Sequence, residues 1–286
     1  MKILVAGAGG MVGRAVSEHC RSLGDEVFAY DHSSLDISDG GLVKAEISRV
    51  APEAIINCAA WTNVDGCEGD LSRADAANAI GPRNLAEASL AIGACFVTIS
   101  TDYVFDGTKE GFYTQDDEPH PISVYGISKL KGETESQRVN PRAIVVRSGF
   151  IFGPGGRNFL SAIVQPLSRG ESVNAISDAW GTPTYAIHLA SRLRELAELA
   201  KPGVYHVVNE GSGATYEEFA VAAAEQLGRD GSLVRGILSS SLNRPAPRPR
   251  NSRLKCLISE ARGLVPLPSW REGLGQYVDW LGLSGN

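Results

Sequence analysis

At 286 residues, with 43% hydrophobic and 21% charged side chains, the chain has the makeup of an ordinary globular protein and the length for one large domain or two unequal ones. A net charge of −6 gives no electrostatic reason to expect nucleic acid or an anionic membrane as partner, and no apolar run approaches the ~20 residues of a membrane span. The opening MKILVAGAGG does not read as a signal peptide, and Cys20, Cys58, Cys67, Cys95 and Cys256 are odd in number and lack CxxC pairing, so they read as reduced thiols of a cytoplasmic protein.

In chain order, short apolar runs alternate with amphipathic stretches. Strands are predicted at Lys2–Ala6, Val27–Tyr30, Ala54–Asn57, Phe96–Ser100 and Ile144–Arg147, and helices at Met11–Ser22, Leu42–Val50, Ala74–Ala91 and Val124–Val139. Strand and helix in alternation predict an α/β, doubly wound parallel sheet, which binds ligands beyond the carboxyl ends of its strands. The run Gly7-Ala8-Gly9-Gly10-Met11-Val12-Gly13 follows the first strand and opens the first helix. Glycines at 7, 10 and 13 permit a tight turn and close approach to a pyrophosphate, which the helix N-terminus attracts. The strand–loop–helix context makes this a dinucleotide site rather than a mere turn. Asp31, ending the second strand, stands where a ribose acid is expected, with a solvated loop carboxylate as the bland reading. Asp36-Ile37 reads as a flank for the adenine or as an ordinary helix start.

The pattern loosens after Gly149. Gly153–Gly156 reads as a loop, Phe159–Ser168 and Ile187–Ala200 as helices, and Val204–Val208 as one more strand of the sheet. Thr215–Leu227 reads as a helix with a Thr215/Glu218 capping box, and prolines force Arg244–Arg250 to be extended. The expected division is a Rossmann domain at 1–149 and a smaller substrate-binding lobe at 150–286, with about 187–208 returning to the first.

Tyr125 and Lys129 fall four apart on a predicted helix, so phenol and ammonium share one face. The ammonium is expected to favour phenolate and lower the tyrosine pKa, so that Tyr125 can exchange a proton with a sugar oxygen. Ser100-Thr101-Asp102-Tyr103-Val104-Phe105 begins at a strand end, where a hydroxyl can reach the same oxygen. A surface tyrosine beside a lysine is the bland alternative.

Taken together, the glycine loop, STDYVF and YxxxK resemble the extended short-chain dehydrogenases acting on nucleotide sugars, and within them the dTDP-4-dehydrorhamnose reductase family. The likeness includes Ile56–Asp65, Asn78-Ala79, Val124–Gly132 with Glu133, Gly181–Thr184, and Arg248-Pro249 with Asn251-Ser252, and so spans nearly the whole chain. The resemblance implies Thr101, Tyr125 and Lys129 as catalytic residues. For the cofactor, NADPH or NADH, it implies Gly10, Met11 and Val12 at the pyrophosphate, with Asp31, Asp36 and Ile37 at the adenosine and Ala60, Trp61 and Thr62 at the nicotinamide half, where Tyr125 and Lys129 also contact the cofactor, Lys129 at the nicotinamide ribose. Thr101, Asp102, Tyr103, Phe150, Asn251 and Ser252 are expected on the nucleotide-sugar side, together with nearby arginines, and no metal is expected.

Three positions depart from the family pattern. Phe150 stands where tryptophan is usual, Ala179 precedes Trp180 where glutamine is common, and Gly66 follows Asp65 where lysine is common. They leave the reaction intact, reduction of a 4-keto sugar nucleotide by a monomer or homodimer, but loosen the identity of the sugar. Competing readings are an epimerase, a dehydratase, for which Asp102-Tyr103 does not supply the expected Asp-Glu pair, a 4-ketoreductase of another sugar, and a non-catalytic regulatory subunit like that of methionine adenosyltransferase.

Overall fold

Side chains alternate across the first strand, β1 (Lys2–Ala6): Ile3 and Val5 join one buried cluster, Leu4 and Ala6 another. That alternation, with no polar face, requires cover on both sides of the sheet. The structure, a computed structural model, describes residues 1–283 and supplies that cover. Beside β1 lie β2 (Glu26–Tyr30), β3 (Ala54–Asn57), β4 (Cys95–Thr101), β5 (Ile144–Ser148) and β6 (Gly203–His206), in the order β6-β5-β4-β3-β1-β2 and all parallel. The first five strands match the sequence reading to within one residue at each end.

Helix α1 (Met11–Ser22) packs with α6 (Ala186–Leu199) on one face, around Val16, Ile56, Val97, Val146, Leu189 and Leu193. Helices α2 (Gly40–Val50) and α3 (Gly81–Ile92) cover the other, around Val43, Ile47, Ile55, Leu85 and Phe96. Asp39 caps α2 by accepting from the Gly41 and Leu42 amides, so that helix starts before the predicted Leu42.

The single helix predicted over Ala74–Ala91 is a composite: Leu71–Asp75 is α-helical, Ala76–Ile80 is a π turn, and α3 follows. Pro82 has no amide proton for the carbonyl of Asn78 four residues earlier, and the widened turn accommodates that loss. The chain then reaches α4 (Val124–Val139), where a Cβ on Gly132 would fall 2.1 Å from the Asn78 carbonyl oxygen. Glycine at 132 therefore lets the π turn press against α4.

A second core gathers Leu160, Ile163, Phe219, Trp270, Leu274 and Tyr277 from α5 (Phe159–Ser168), α7 (Tyr216–Gln226) and α8 (Trp270–Trp280), with Phe152 from the short strand Ile151–Phe152. Thr215 and Glu218 form the capping box read from the sequence. The sequence reading missed α8, the short helix Val64–Gly69 and the small strand pairs, among them Val173–Ile176 with Val234–Ile237. Strands this short carry too little periodicity to be seen before their partners are known. Among the described residues no helix is long and apolar enough to cross a membrane, and all five cysteines are free.

Candidate active site

The chain leaves β1 for β2 on one side and returns to β3 on the other, which opens a crevice at the carboxyl end of β1. There Gly7 adopts φ +76°, and a Cβ on it would lie 2.5 Å from the Ala59 amide nitrogen. A Cβ on Gly13 would lie 2.2 Å from the Gly7 carbonyl oxygen. Gly10 caps α1 with no side chain, so no side-chain oxygen competes for the first-turn amides. The Ser100 and Ser148 hydroxyls, at the ends of β4 and β5, are buried and find no partner among the described residues. A cradle that Cβ atoms would fill and two unpartnered hydroxyls fit a bound dinucleotide.

Asp31 lies at the far end of the crevice. The Ser33 and Ser34 hydroxyls and amides converge on its Oδ1, the Ser33 hydroxyl having the largest effect, and hold its pKa down at about 2. Asp36 is held in the same way by Ser38, and Ile37 is buried against α3 with its carbonyl bonded by Asn84.

A cavity of about 560 Å³ extends from this crevice into the second core. Val12, Ala60, Thr62, Thr101, Asp102, Tyr103, Tyr125, Lys129, Phe150 and Ser252 all line it, so residues 240 positions apart in sequence share one space. Each is held by local structure. Ser123 caps α4 through the Gly126 amide, and a Cβ on Gly126 would fall 2.3 Å from the Tyr103 carbonyl oxygen, so glycine there lets α4 dock on the 102–104 turn. Tyr103 and Tyr125 meet edge to face, 6.1 Å between ring centres. A buried ion pair, Arg147 Nη2 to Glu133 Oε2 at 2.7 Å, ties α4 to β5.

Lys129 Nζ donates to the Ile99 carbonyl at 2.7 Å. Burial brings the ammonium down to about 8, against the pull of Glu133 and Cys58. Burial also raises the Tyr125 phenol, with Asp102 adding to it and a Thr101 hydrogen bond opposing. The expectation that Lys129 lowers the Tyr125 pKa is thus corrected: loss of water around the phenol dominates, and the Lys129 ammonium, which donates to the Ile99 carbonyl, is not among the groups that shift it. Thr101 Oγ1 donates to Asp102 Oδ1 at 3.0 Å and accepts from the Tyr103 amide. Asp102 is itself enclosed, since a Cβ on Gly149 would lie 2.2 Å from its Cγ, and burial raises its pKa to about 6.

Two expectations fail geometrically. Asn251 does not face the cavity; its amide donates to the carbonyls of Lys109 and Gly111 and its oxygen accepts from Arg253 Nε, so it is a structural residue. Trp61 also lies outside the lining, under the Arg73 guanidinium at 4.6 Å, while its backbone is clamped by Asn78 through N–H to Oδ1 at 2.8 Å and Nδ2 to O at 3.1 Å. Asn78 also donates to Ser128 Oγ on α4, which makes it the brace between the 60–62 loop and the helix that carries Tyr125 and Lys129. In the sequence Asn78 belongs to the family likeness but carries no role of its own. The sequence reading missed Tyr216, which lines the cavity with its ring 4.2 Å from Phe150, because the two are distant in sequence and meet only through the fold.

The family described as RmlD substrate binding domain matches residues 1–282. This chain belongs to that family. A dTDP-4-dehydrorhamnose reductase of Streptomyces griseus is 39% identical over 277 residues, 95% of this chain and 91% of that protein. The solved structure of a dTDP-4-dehydrorhamnose reductase from Clostridium acetobutylicum is 35% identical with a TM-score of 0.93, covering 99% of this chain and all of that one. Another from Bacillus anthracis, solved in complex with NADP, is 31% identical with a TM-score of 0.93, covering 98% of this chain and 100% of that one.

Within the RmlD family frame the departures acquire local causes. A Cβ on Gly66 would lie 2.7 Å from Asn63 Nδ2 and 3.1 Å from the Trp61 ring, because Asn63 caps the short helix through the Gly66 amide. Phe150 lines the cavity from a left-handed backbone, φ +50°, with its ring among Tyr216, Phe159 and Phe219. Ala179 and Trp180 line the same end.

Proposed function

We propose that this protein reduces the 4-keto group of a 4-keto-6-deoxy sugar nucleotide, foremost dTDP-4-dehydro-L-rhamnose to dTDP-L-rhamnose, with NADPH or NADH as reductant. The observation that supports this most is the meeting of Thr101, Tyr125 and Lys129 in one cavity continuous with the glycine crevice. Gly7, Gly10, Met11, Val12 and Gly13 cradle the pyrophosphate, Asp31, Asp36 and Ile37 the adenosine, and Ala60 and Thr62 the nicotinamide half, with Trp61 acting through its clamped backbone. When bound, the reduced nicotinamide supplies the hydride.

Tyr125, a neutral phenol whose pKa burial raises further, gives its proton to the oxygen that gains charge as the ketone is reduced. Thr101 steadies that oxygen as one donor of an oxyanion site, its hydroxyl turning from Asp102 to do so. Lys129, charged below about pH 8, stabilises the phenolate left behind. Asp102, Tyr103, Phe150 and Ser252 line the sugar end, with Arg244 and Arg250 toward the diphosphate.

The division at 149/150 separates the cofactor-binding part from a substrate-binding lobe, with 187–208 returned to the first; residues 284–286 of that lobe lie outside the described residues. We place the protein in the cytoplasm, as a monomer or homodimer.

The test supplies purified protein with dTDP-4-dehydro-L-rhamnose and NADPH, follows loss of reduced-cofactor absorbance, and identifies the product by NMR. Formation of dTDP-L-rhamnose is expected. Turnover of a different keto sugar nucleotide alone would move the assignment to that sugar, and no turnover of any would favour a regulatory role.

A further inference from the structure

Residues 239–250 run as a strap along the cavity, contributing Ser239, Leu242, Arg244, Pro247, Arg248 and Arg250 to its lining. The strap is fastened at its ends within the second half of the chain. Asp178 accepts from the Ser239 amide at 2.7 Å and from its hydroxyl at 3.0 Å, and Trp180 N–H donates to the Arg250 carbonyl at 2.8 Å. Three prolines, Pro245, Pro247 and Pro249, deny the middle any regular backbone ladder.

What holds that middle comes from the other half of the protein. Asp65, on the short helix after β3, accepts from Arg248 Nη1 at 2.7 Å and Nη2 at 2.8 Å, and from the Ala246 amide at 3.0 Å. Arg248 Nη1 also donates back to the Ala246 carbonyl at 2.8 Å. Both terminal nitrogens of Arg248 are therefore taken, in the two-pronged geometry that makes such pairs directional. The guanidiniums of Arg244 and Arg250 make no hydrogen bond or ion pair among the described residues, and both residues line the cavity.

We propose that Asp65 and Arg248 form a clasp that positions the strap over the sugar-nucleotide end of the cavity, leaving Arg244 and Arg250, not Arg248, to meet the diphosphate. Asp65 and Arg248 are positioning residues: neither touches the reacting atoms. The diphosphate part of this proposal rests on the reductase reading above; the clasp itself does not.

The test compares wild type with Asp65→Asn, Asp65→Glu and Arg244→Ala, using dTDP and NADPH as probes in calorimetry, steady-state kinetics, and amide hydrogen exchange of 239–250 in the unliganded protein. Asp65→Asn should speed exchange across the strap and raise the dTDP Kd and the keto-sugar KM about tenfold, roughly 1.4 kcal/mol, while kcat stays within about threefold and the NADPH Kd is unmoved. Asp65→Glu, which keeps the charge, should recover part of that loss. Arg244→Ala should weaken dTDP binding with strap exchange unchanged.

Unchanged exchange and dTDP affinity in Asp65→Asn would overturn the clasp, as would a fall in kcat with KM unmoved. Wild type that binds no dTDP would overturn the diphosphate assignment and the reductase reading together, with the exchange comparison still deciding the clasp.

Discussion

Tyr125, like any phenol, carries its proton at neutral pH, and burial raises its pKa further, so it is fit to be the proton donor of the proposed ketone reduction. Tyr125→Phe keeps the ring and its edge contact with Tyr103 but removes that proton. Turnover should fall by about 10²–10⁴-fold, with NADPH affinity measured by fluorescence titration close to wild type. A variant retaining more than about a tenth of the activity would remove Tyr125 from the mechanism. Lys129 makes a different prediction. Its folded pKa, near 8, is lower than the ordinary lysine value, so its charge is lost as pH rises through 8. The rate should fall on the alkaline side with an apparent pKa near 8, and Lys129→Met should lack that limb. The stability contribution has the opposite sign. Between 8 and the unfolded value of ~10.4 the unfolded chain binds more protons, so this group favours the fold increasingly as pH rises. Activity lost above pH 8 while the Lys129 contribution to stability grows would separate catalysis from denaturation.

At the scale of elements, the glycine loop and α4 are placed by close backbone approaches that any side chain would block. Gly13→Val sets a Cβ where the Gly7 carbonyl oxygen is only 2.2 Å away, and neither atom is the end of a flexible chain. The loop must shift, at a cost of about 1–3 kcal/mol to the fold, and its amides lose their alignment toward the pyrophosphate. NADPH affinity should drop by at least about tenfold while dTDP affinity stays near wild type, since the strap is held by Asp65, Asp178 and Trp180 and not by the glycine loop. Equal losses for both ligands would indicate general disruption instead. The π turn at Ala76–Ile80 works with α4 in the same manner, because it brings Asn78 against Gly132, Ser128 and the Trp61 backbone together.

For the whole molecule, the cavity lies between a sheet core and a second core that share few buried side chains. A ligand seated across it stabilises both. At a hundred times its Kd, NADPH should add ~2.7 kcal/mol to the folded state, which for a chain of this length raises Tm by several degrees in calorimetry. NADH should do likewise at a comparable multiple of its own Kd. A melting temperature unmoved by either cofactor would refute the dinucleotide site as read from the crevice.

Much of this was legible in the chain itself. The alternation of Ile3 and Val5 against Leu4 and Ala6, the glycines at 7 and 13, and the four-residue spacing of Tyr125 and Lys129 are local regularities, so strand order aside, the sheet, the crevice and the helix that carries Tyr125 and Lys129 follow from short-range stereochemistry. What only the tertiary structure decided depends on groups far apart in sequence. Burial, which shifts the pKa values of Tyr125, Lys129 and Asp102, is a property of the closed cavity and not of any motif. Asn251 matches a motif, yet its amide is taken by two carbonyls some 140 residues away. Asp65 and Arg248, 183 positions apart, have no reason to pair until β3 and the proline strap are brought to the same end of the sheet. Hydrogen bonds of that range are decided by packing, which no stretch of sequence shorter than the whole fold encodes.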